Sequence, residues 1–385
     1  MNRMDAECAG LPRPLEGVRV VDLTTYLAAP SAGRMLAYLG AEVIKVESPT
    51  GDPYRRQGEL YGIPVQDDNN PLFAEANDGK KFVVLNLKEE KNREIFYRLI
   101  RTADIFITNM RIRALEKLGA TYGALHRENP KLVYGRISGY GTKGPLANRL
   151  GFDSTAYFAR GGHMLDYVQP GSPPNNMVLG AGDCNAALAL AAGVLAGFAG
   201  ANITGEGRQV DTSLFHTSIW MASMDYVVSQ YGEDFFIDQV YRCKDGVYMY
   251  LQAITDKQKS ILLDLIGMSR AEYDDHFGAV PKLRRIYAQK TYDEWADLLD
   301  GTGVCIERLR HLAEVPQDEQ ARLNGFLVPY GAGPDSWIAA PPVTYEGARK
   351  AFLSDVRLGK DTEAVLGVLQ RGDQCTEDAR RNLGK

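Results

Sequence analysis

From Val18 to Tyr140 the chain alternates short β-branched and aliphatic runs with amphipathic segments, and the connections are brief. Val18 to Leu23 reads as a strand, PSAGRMLAYLG as a helix ended by Gly40, and AEVIKVES as a second strand. The pattern repeats through KFVVLNLK, the amphipathic NREIFYRLIRTA, the strand DIFITN, the helix RALEKLG and the strand LVYGRISGY. Such alternation predicts an α/β fold with a mostly parallel sheet covered by helices, and it places ligands at the C-terminal ends of the strands. Three polar loops fall at those ends, Thr24 to Pro30, Thr108 to Arg113 and Ser138 to Pro145.

No GxGxxG or GxxxxGK[ST] follows any of these strands, so the fingerprints of dinucleotide-binding and P-loop proteins are missing. Further along, an alanine-rich helix is followed by a strand in GRQVDTSLF and a helix from about Phe215 to Gln230. YRCKDGVYMYLQAI has the pattern of a β-hairpin turning at Asp245-Gly246. Helices are expected at Lys257 to Ile266 and Tyr292 to Leu299, the latter opened by a Thr291/Glu294 capping box, and another at Thr362 to Arg371. These elements predict a Rossmann-like large domain over residues 1–212, a linking helix over 213–230, a smaller α+β domain over 231–335, and a return to the large domain over 336–385.

Lys and Arg number 44 against 49 Asp and Glu, a net charge of −5 that gives no footprint for nucleic acid. The N-terminal residues carry acids at Asp5 and Glu7 and no apolar core, which resembles neither a secretory signal nor a mitochondrial leader. The longest apolar stretch, Ala186 to Ala201, is about 16 residues, short of the roughly 18 that a membrane span needs. A soluble, cytoplasmic protein is expected. The five cysteines are scattered, and the five histidines never fall at metal-ligand spacing, so no metal site is expected.

Candidates for covalent chemistry are few. No GxSxG elbow occurs. Cys184 has no histidine nearby and reads as a small buried residue, while His163 and His216 sit among apolar residues and read as structural. Asp183, between Gly182 and Cys184 at the mouth of the alanine-rich helix, admits two readings. It can cap the helix by accepting first-turn amides. It can equally attack an activated acyl group, with the glycines at 180 and 182 letting backbone amides approach the developing oxyanion. Arg111, Arg113 and Lys117 form a basic stretch that suits either a solvated surface or a phosphate-bearing ligand such as coenzyme A. Tyr157, Phe158, Phe215, Trp220 and Tyr226 read as core or as the lining of an aromatic pocket.

Several segments together resemble the class III CoA-transferases, the family that includes formyl-CoA transferase, carnitine CoA-transferase and the alpha-methylacyl-CoA racemases. They are LEGVRVVDLTTYLAAPSAGRMLAYLGAEVIKVESPTGDPYR, ANDGKKFVVLNLK, ADIFITNMRIRALEKLG, GYGTKGPLANRLGFDSTAYFARGG, GEGRQVDTSLFHTSIW, YRCKDGVY and QARLNGFLVPY. TNMRIRALEKLG, GFDSTAYFARGG and SLFHTSIW are most similar to the branch acting on 2-hydroxy acids such as 2-hydroxyisocaproate and aryl-lactates in amino-acid fermentation.

The resemblance implies CoA transfer from an acyl-CoA to a carboxylic acid, with the CoA thioester as substrate and no separate cofactor. It implies that Asp183 is the nucleophile of an aspartyl anhydride and aspartyl-CoA relay. It places Tyr26, Leu27 and Ala28, Asn109 and Met110, and Ser138, Gly139 and Tyr140 along bound CoA, with Lys117 at the nucleotide end. It also implies a CoA-binding large domain and a homodimer of interlocked subunits.

Two departures stand out. The racemases carry His in a GHD motif where this chain has Phe152, and their matching Glu is replaced by Thr255 or a near neighbour. The glycine-rich flap of formyl-CoA transferase is not matched by GEDFFIDQV at 232–240. The alternatives to a 2-hydroxyacid CoA-transferase are a 2-methylacyl-CoA racemase or epimerase, and a bile-acid or carnitine CoA-transferase.

Overall fold

The computed structural model describes residues 12–168, 171–175, 177, 179–231, 239–330, 336–345 and 355–371, and the flap segment at 232–238 lies outside them. The chain divides into two compact units, Met1–Tyr226 with Arg322–Lys385, and Val227–Ala321.

In the first unit six strands form one sheet: β1 (Arg19–Leu23), β2 (Glu42–Glu47), β3 (Lys81–Val84), β4 (Ile105–Thr108), β5 (Val133–Ser138) and β6 (Gln209–Ser213). Their order is β3-β2-β1-β4-β5-β6, and every pairing is parallel. The helices between them are α1 (Ala28–Tyr38), α2 (Pro71–Asn77), α3 (Glu90–Arg101), α4 (Ile112–Leu118), α5 (Tyr122–Glu128) and α6 (Ala181–Thr204). Strand side chains alternate between faces, so successive residues feed two cores. Val20, Ile105 and Val133 pack with α1 and α6, while Val21, Phe106 and Tyr134 pack with α3, α4 and α5. The chain reverses its direction of travel across the sheet between β1 and β4, the switch point at whose C-terminal side open α/β sheets bind ligands.

Helix α6 is longer than its sequence signal. It runs 24 residues, through Asp183 and Asn185 at one end and Asn202 and Thr204 at the other, and by length and composition alone it could cross a membrane. The expectation that no segment reaches spanning length is therefore corrected, because a few polar residues at the ends dilute the apolar run without breaking the helix. Leu190, Ala191 and Val194 on one face of α6 are buried in the core it shares with α1.

The single helix expected from Phe215 to Gln230 is instead two, α7 (Leu214–Met221) and α8 (Ser223–Tyr231), broken at Ala222. Residues 362–371 form the expected C-terminal helix. They place Val365 and Leu369 in the core of the first unit. Just ahead of that core contact, Asp361 Oδ2 and Thr362 Oγ1 accept the Phe82 and Val84 amides at 2.8 and 3.1 Å, covering the exposed edge of β3.

The second unit holds an antiparallel sheet of β7 (Val240–Arg242), β8 (Tyr248–Gln252) and β9 (Cys305–Arg308), in that order. The hairpin turns at Asp245-Gly246, where Gly246 takes a φ of 86°. Around it lie α9 (Asp256–Ile266), α10 (His276–Tyr287) and α11 (Tyr292–Leu299). Thr291 and Glu294 form the anticipated capping box of α11. Thr255 is likewise a cap, its hydroxyl accepting the Gln258 amide at 3.2 Å.

Candidate active site

Asp183 lies in the first turn of α6, and the cap reading fails on geometry. The residue that precedes the helix is Gly180, at φ 83°, and no side chain at that position caps the turn. The cap comes from another segment. Asp153, at the start of a π-helical turn over Asp153–Ala159, accepts the Gly180 amide on Oδ2 at 2.7 Å. The amides of Gly182 and Asp183 lie beside the same carboxylate and favour its charged form, although Oδ1 makes no well-aligned hydrogen bond. Of the amides expected to face a substrate oxyanion, that of Gly180 is therefore engaged by Asp153. Gly182 is needed for space, since a Cβ there would stand 2.3 Å from both Asp153 Oδ1 and the Tyr157 ring.

The electrostatics follow from this pairing. Partial burial, and then the like charge of Asp153, push the Asp183 carboxyl up to about 7. Burial raises Asp153 itself, with the facing amides opposing the shift. Two neighbouring carboxylates with limited access to water ionise reluctantly. A carboxylate whose pKa is near neutrality is still available at pH 7 and is more basic than an ordinary one, and therefore a stronger nucleophile.

Cys184 is exposed, not buried as expected. Its sulfur is nevertheless partly withdrawn from water, and with the Glu75 and Asp183 carboxylates nearby the thiol is pushed up to about 11. A thiol so reluctant to ionise is a poor nucleophile. His163 is buried, with Nε2 2.9 Å from Ser218 Oγ, and stacks on Tyr157 with ring centroids 5.2 Å apart. It is a structural histidine, as anticipated.

The loops after β1, β4 and β5 come together because these strands are neighbours. Asn109 joins the first two, accepting the Thr25 amide at 3.0 Å and donating to the Thr25 carbonyl at 2.6 Å. Met110 follows, half-buried against the core beneath α4. Leu27 meets the start of α6, where its Cδ2 stands 2.6 Å from the place a Cβ of Gly180 would occupy. Ala28, the first residue of α1, is buried. At the end of β5, Ser138 Oγ accepts the Gly141 amide at 3.1 Å and the Gly139 carbonyl accepts the Phe215 amide at 3.0 Å. Tyr140 lies with the Arg149 and Arg160 guanidinium groups each 5.9 Å from its ring centroid.

A profile of CoA-transferase family III matches residues 15–355. The chain belongs to that family. It is 36% identical to (R)-2-hydroxy-4-methylpentanoate CoA-transferase of Clostridioides difficile, over 92% of this chain and 95% of the relative. It is 32% identical to cinnamoyl-CoA:phenyllactate CoA-transferase of Clostridium sporogenes, over 95% of this chain and 96% of the relative. Its fold is similar to the crystal structure of a CAIB/BAIF family protein from Brucella suis, with a TM-score of 0.79, 26% identity, and coverage of 93% of this chain and all of that one.

Within this family III CoA-transferase the basic stretch keeps Arg113 and Lys117 four residues apart on α4, as its spacing implies. Arg111 precedes α4, and Lys117 is exposed in its last turn rather than at the loops themselves. The five aromatics separate. Tyr157 and Phe158 are core, Trp220 is 74% exposed, Phe215 lies 5.2 Å from the Arg160 guanidinium, and Tyr226 donates to the Gly161 carbonyl at 3.0 Å. Asp153 is the residue the sequence reading passed over. Its only signal was its place beside Phe152 in GFD, because a capping contact 27 residues away leaves no local pattern.

Proposed function

We propose that this enzyme moves CoA from an acyl-CoA thioester to a 2-hydroxy acid with a branched or aromatic side chain, through covalent intermediates on Asp183. The observation that carries the reading is the place of Asp183 in the first turn of α6, where Gly180 meets the loop after β1, and burial that pushes its carboxyl up to about 7 supports it. An Asp183 oxygen attacks the donor carbonyl and CoA leaves as thiolate, giving an acyl-aspartyl anhydride. The thiolate attacks the aspartyl carbonyl, releasing the donor acid and leaving aspartyl-CoA. The acceptor carboxylate then displaces CoA to form a second anhydride. Attack of the thiolate on the acceptor's carbonyl gives the new thioester and restores Asp183. Each step breaks one acyl bond as it forms another, so the relay needs no oxidant or metal.

The acceptor class is supported by the activities named for the two bacterial relatives. Tyr26, Leu27, Ala28, Asn109, Met110, Ser138, Gly139 and Tyr140 line CoA in this reading, with Lys117 towards its nucleotide. A homodimer belongs to it too, because Ile203 at the end of α6 is 86% exposed and Trp220, Met221 and Met224 are also open to solvent. Apolar surface of this extent calls for a covering partner. A cytoplasmic location completes the reading.

The test is chemical. Incubation with an acyl-CoA followed by borohydride or hydroxylamine should modify Asp183, identified by peptide mass. An Asp183→Ala variant with full transferase activity would overturn the mechanism.

A further inference from the structure

Among the described residues Tyr26 is the sole non-glycine with positive φ, at 63°. A non-glycine backbone held in this region is strained and persists only when its surroundings over-determine it. Here they do. The Tyr26 amide donates to Asp52 Oδ1 at 3.0 Å, and the same oxygen accepts the Tyr54 amide at 3.0 Å. Asp52 Oδ2 pairs with Lys45 Nζ at 3.0 Å, both side chains being fully buried. Lys45 also donates to the Thr24 carbonyl at 2.9 Å, and Lys80, paired with Asp22, donates to the Pro30 carbonyl at 2.7 Å. With Asn109 on Thr25, four buried or half-buried side chains from outside the loop fix it. Buried ion pairs are a poor route to stability. This set is better explained as a positioning device.

What it positions is an aromatic ring. Tyr26 is 39% exposed and meets Phe152, 45% exposed, edge to face, with centroids 5.9 Å apart and planes at 81°. Each ring is carried by the residue next to one that meets the Asp183 turn. Phe152 adjoins Asp153, which caps that turn, and Tyr26 adjoins Leu27, which touches Gly180.

We propose that Tyr26 and Phe152 form the specificity wall of the site, an apolar aromatic corner that recognises the branched or aromatic side chain of the acid joined to Asp183. Open edges and faces of two rings favour a third apolar group. Held rigid by Asp52 and Lys45, the corner would meet that group at little entropic cost. This inference rests on the Asp183 reading and adds to it which residues choose the acid.

The experiment compares kcat/KM for phenyllactate and for lactate with one common CoA donor, in wild type and in Tyr26→Phe, Tyr26→Gly and Phe152→Ala. Tyr26→Gly relieves the backbone strain, so it is expected to fold, which a thermal melt verifies. Wild type and Tyr26→Phe should prefer phenyllactate. Tyr26→Gly and Phe152→Ala should each lose that preference by about tenfold or more. An unchanged ratio, an equal fall for both acids, or a rise in the donor's KM alone would overturn the proposal, the last marking Tyr26 as a CoA contact only. A wild type that forms the Asp183 adduct but shows no preference between the acids overturns the specificity wall and leaves the nucleophile standing. Absence of any adduct removes both.

Discussion

Asp153 holds the amide of Gly180 at 2.7 Å and thereby caps the helix on which Asp183 is carried. One carboxylate organises the turn from which the other acts. The arrangement puts two acids side by side, and the second is pushed up to about 7 as a result of burial first and of its neighbour second.

Replacing Asp153 should separate the two effects. Asp153→Asn keeps an oxygen for the Gly180 amide and removes the like charge, so the pKa of Asp183 falls and the acid limb of activity moves to lower pH. Asp153→Ala removes the cap as well, and the loss of a cap destabilises by about 0.5–2 kcal/mol. The measurements are a pH–rate profile and urea unfolding. An acid limb that stays in place in Asp153→Asn would show that the charge of Asp153 does not reach Asp183.

Asp183 should also weaken the fold at neutral pH. Its folded pKa of about 7 lies above the ordinary aspartate value of 3.8, so between these values the native state holds a proton that the unfolded chain has lost. Stability from this group is full below about pH 4 and falls as pH rises towards 7. Asp183→Asn, which cannot ionise, should therefore be more stable than wild type at pH 8 by roughly 1–3 kcal/mol, with the gain vanishing near pH 3.5. Thermal melts at the two pH values test this. An equal effect at both would mean that the carboxyl is not perturbed in the native state.

Sequence alone carried the sheet because parallel strands buried on both faces leave apolar runs, as in IFIT of β4 and FVV of β3. It carried the Asp245-Gly246 hairpin and the α11 capping box because their chemistry is local. What it missed is set by contacts between distant segments. The Asp153 cap spans 27 residues and the Tyr26 to Asp52 bond 26. The break at Ala222 interrupts a stretch whose composition reads as one helix. The left-handed Tyr26 ran against every local preference, since tyrosine is not a residue that favours positive φ.

The buried pair beneath Tyr26 should be costly to break and cheap to neutralise. Lys45→Met leaves Asp52 charged and buried without its partner, a loss of about 3–5 kcal/mol. Lys45→Met combined with Asp52→Asn leaves no charge and keeps an oxygen for the Tyr26 and Tyr54 amides, so much of the loss should return. Urea titrations of both variants are the measure. A single variant within 1 kcal/mol of wild type would show that Asp52 is not confined as the ion pair requires.

The last prediction concerns the apolar faces at the end of α6 and on α7 and α8. Trp220 is 74% exposed and Met224 76%, and Ile203 at the far end of α6 is more exposed still. A single subunit would leave these side chains in water, where each fully exposed large apolar group forgoes roughly 1.5–3 kcal/mol of burial. Sedimentation of the wild-type enzyme should therefore give a dimer. Trp220→Glu with Met224→Glu places two like charges on the covered face, and desolvating them on association is unfavourable. The double variant should sediment as a monomer or a weakened dimer while its far-UV circular dichroism is retained. A wild-type monomer at micromolar concentration would leave the dimer without support, and a double variant that still dimerised fully would place the interface elsewhere on the molecule.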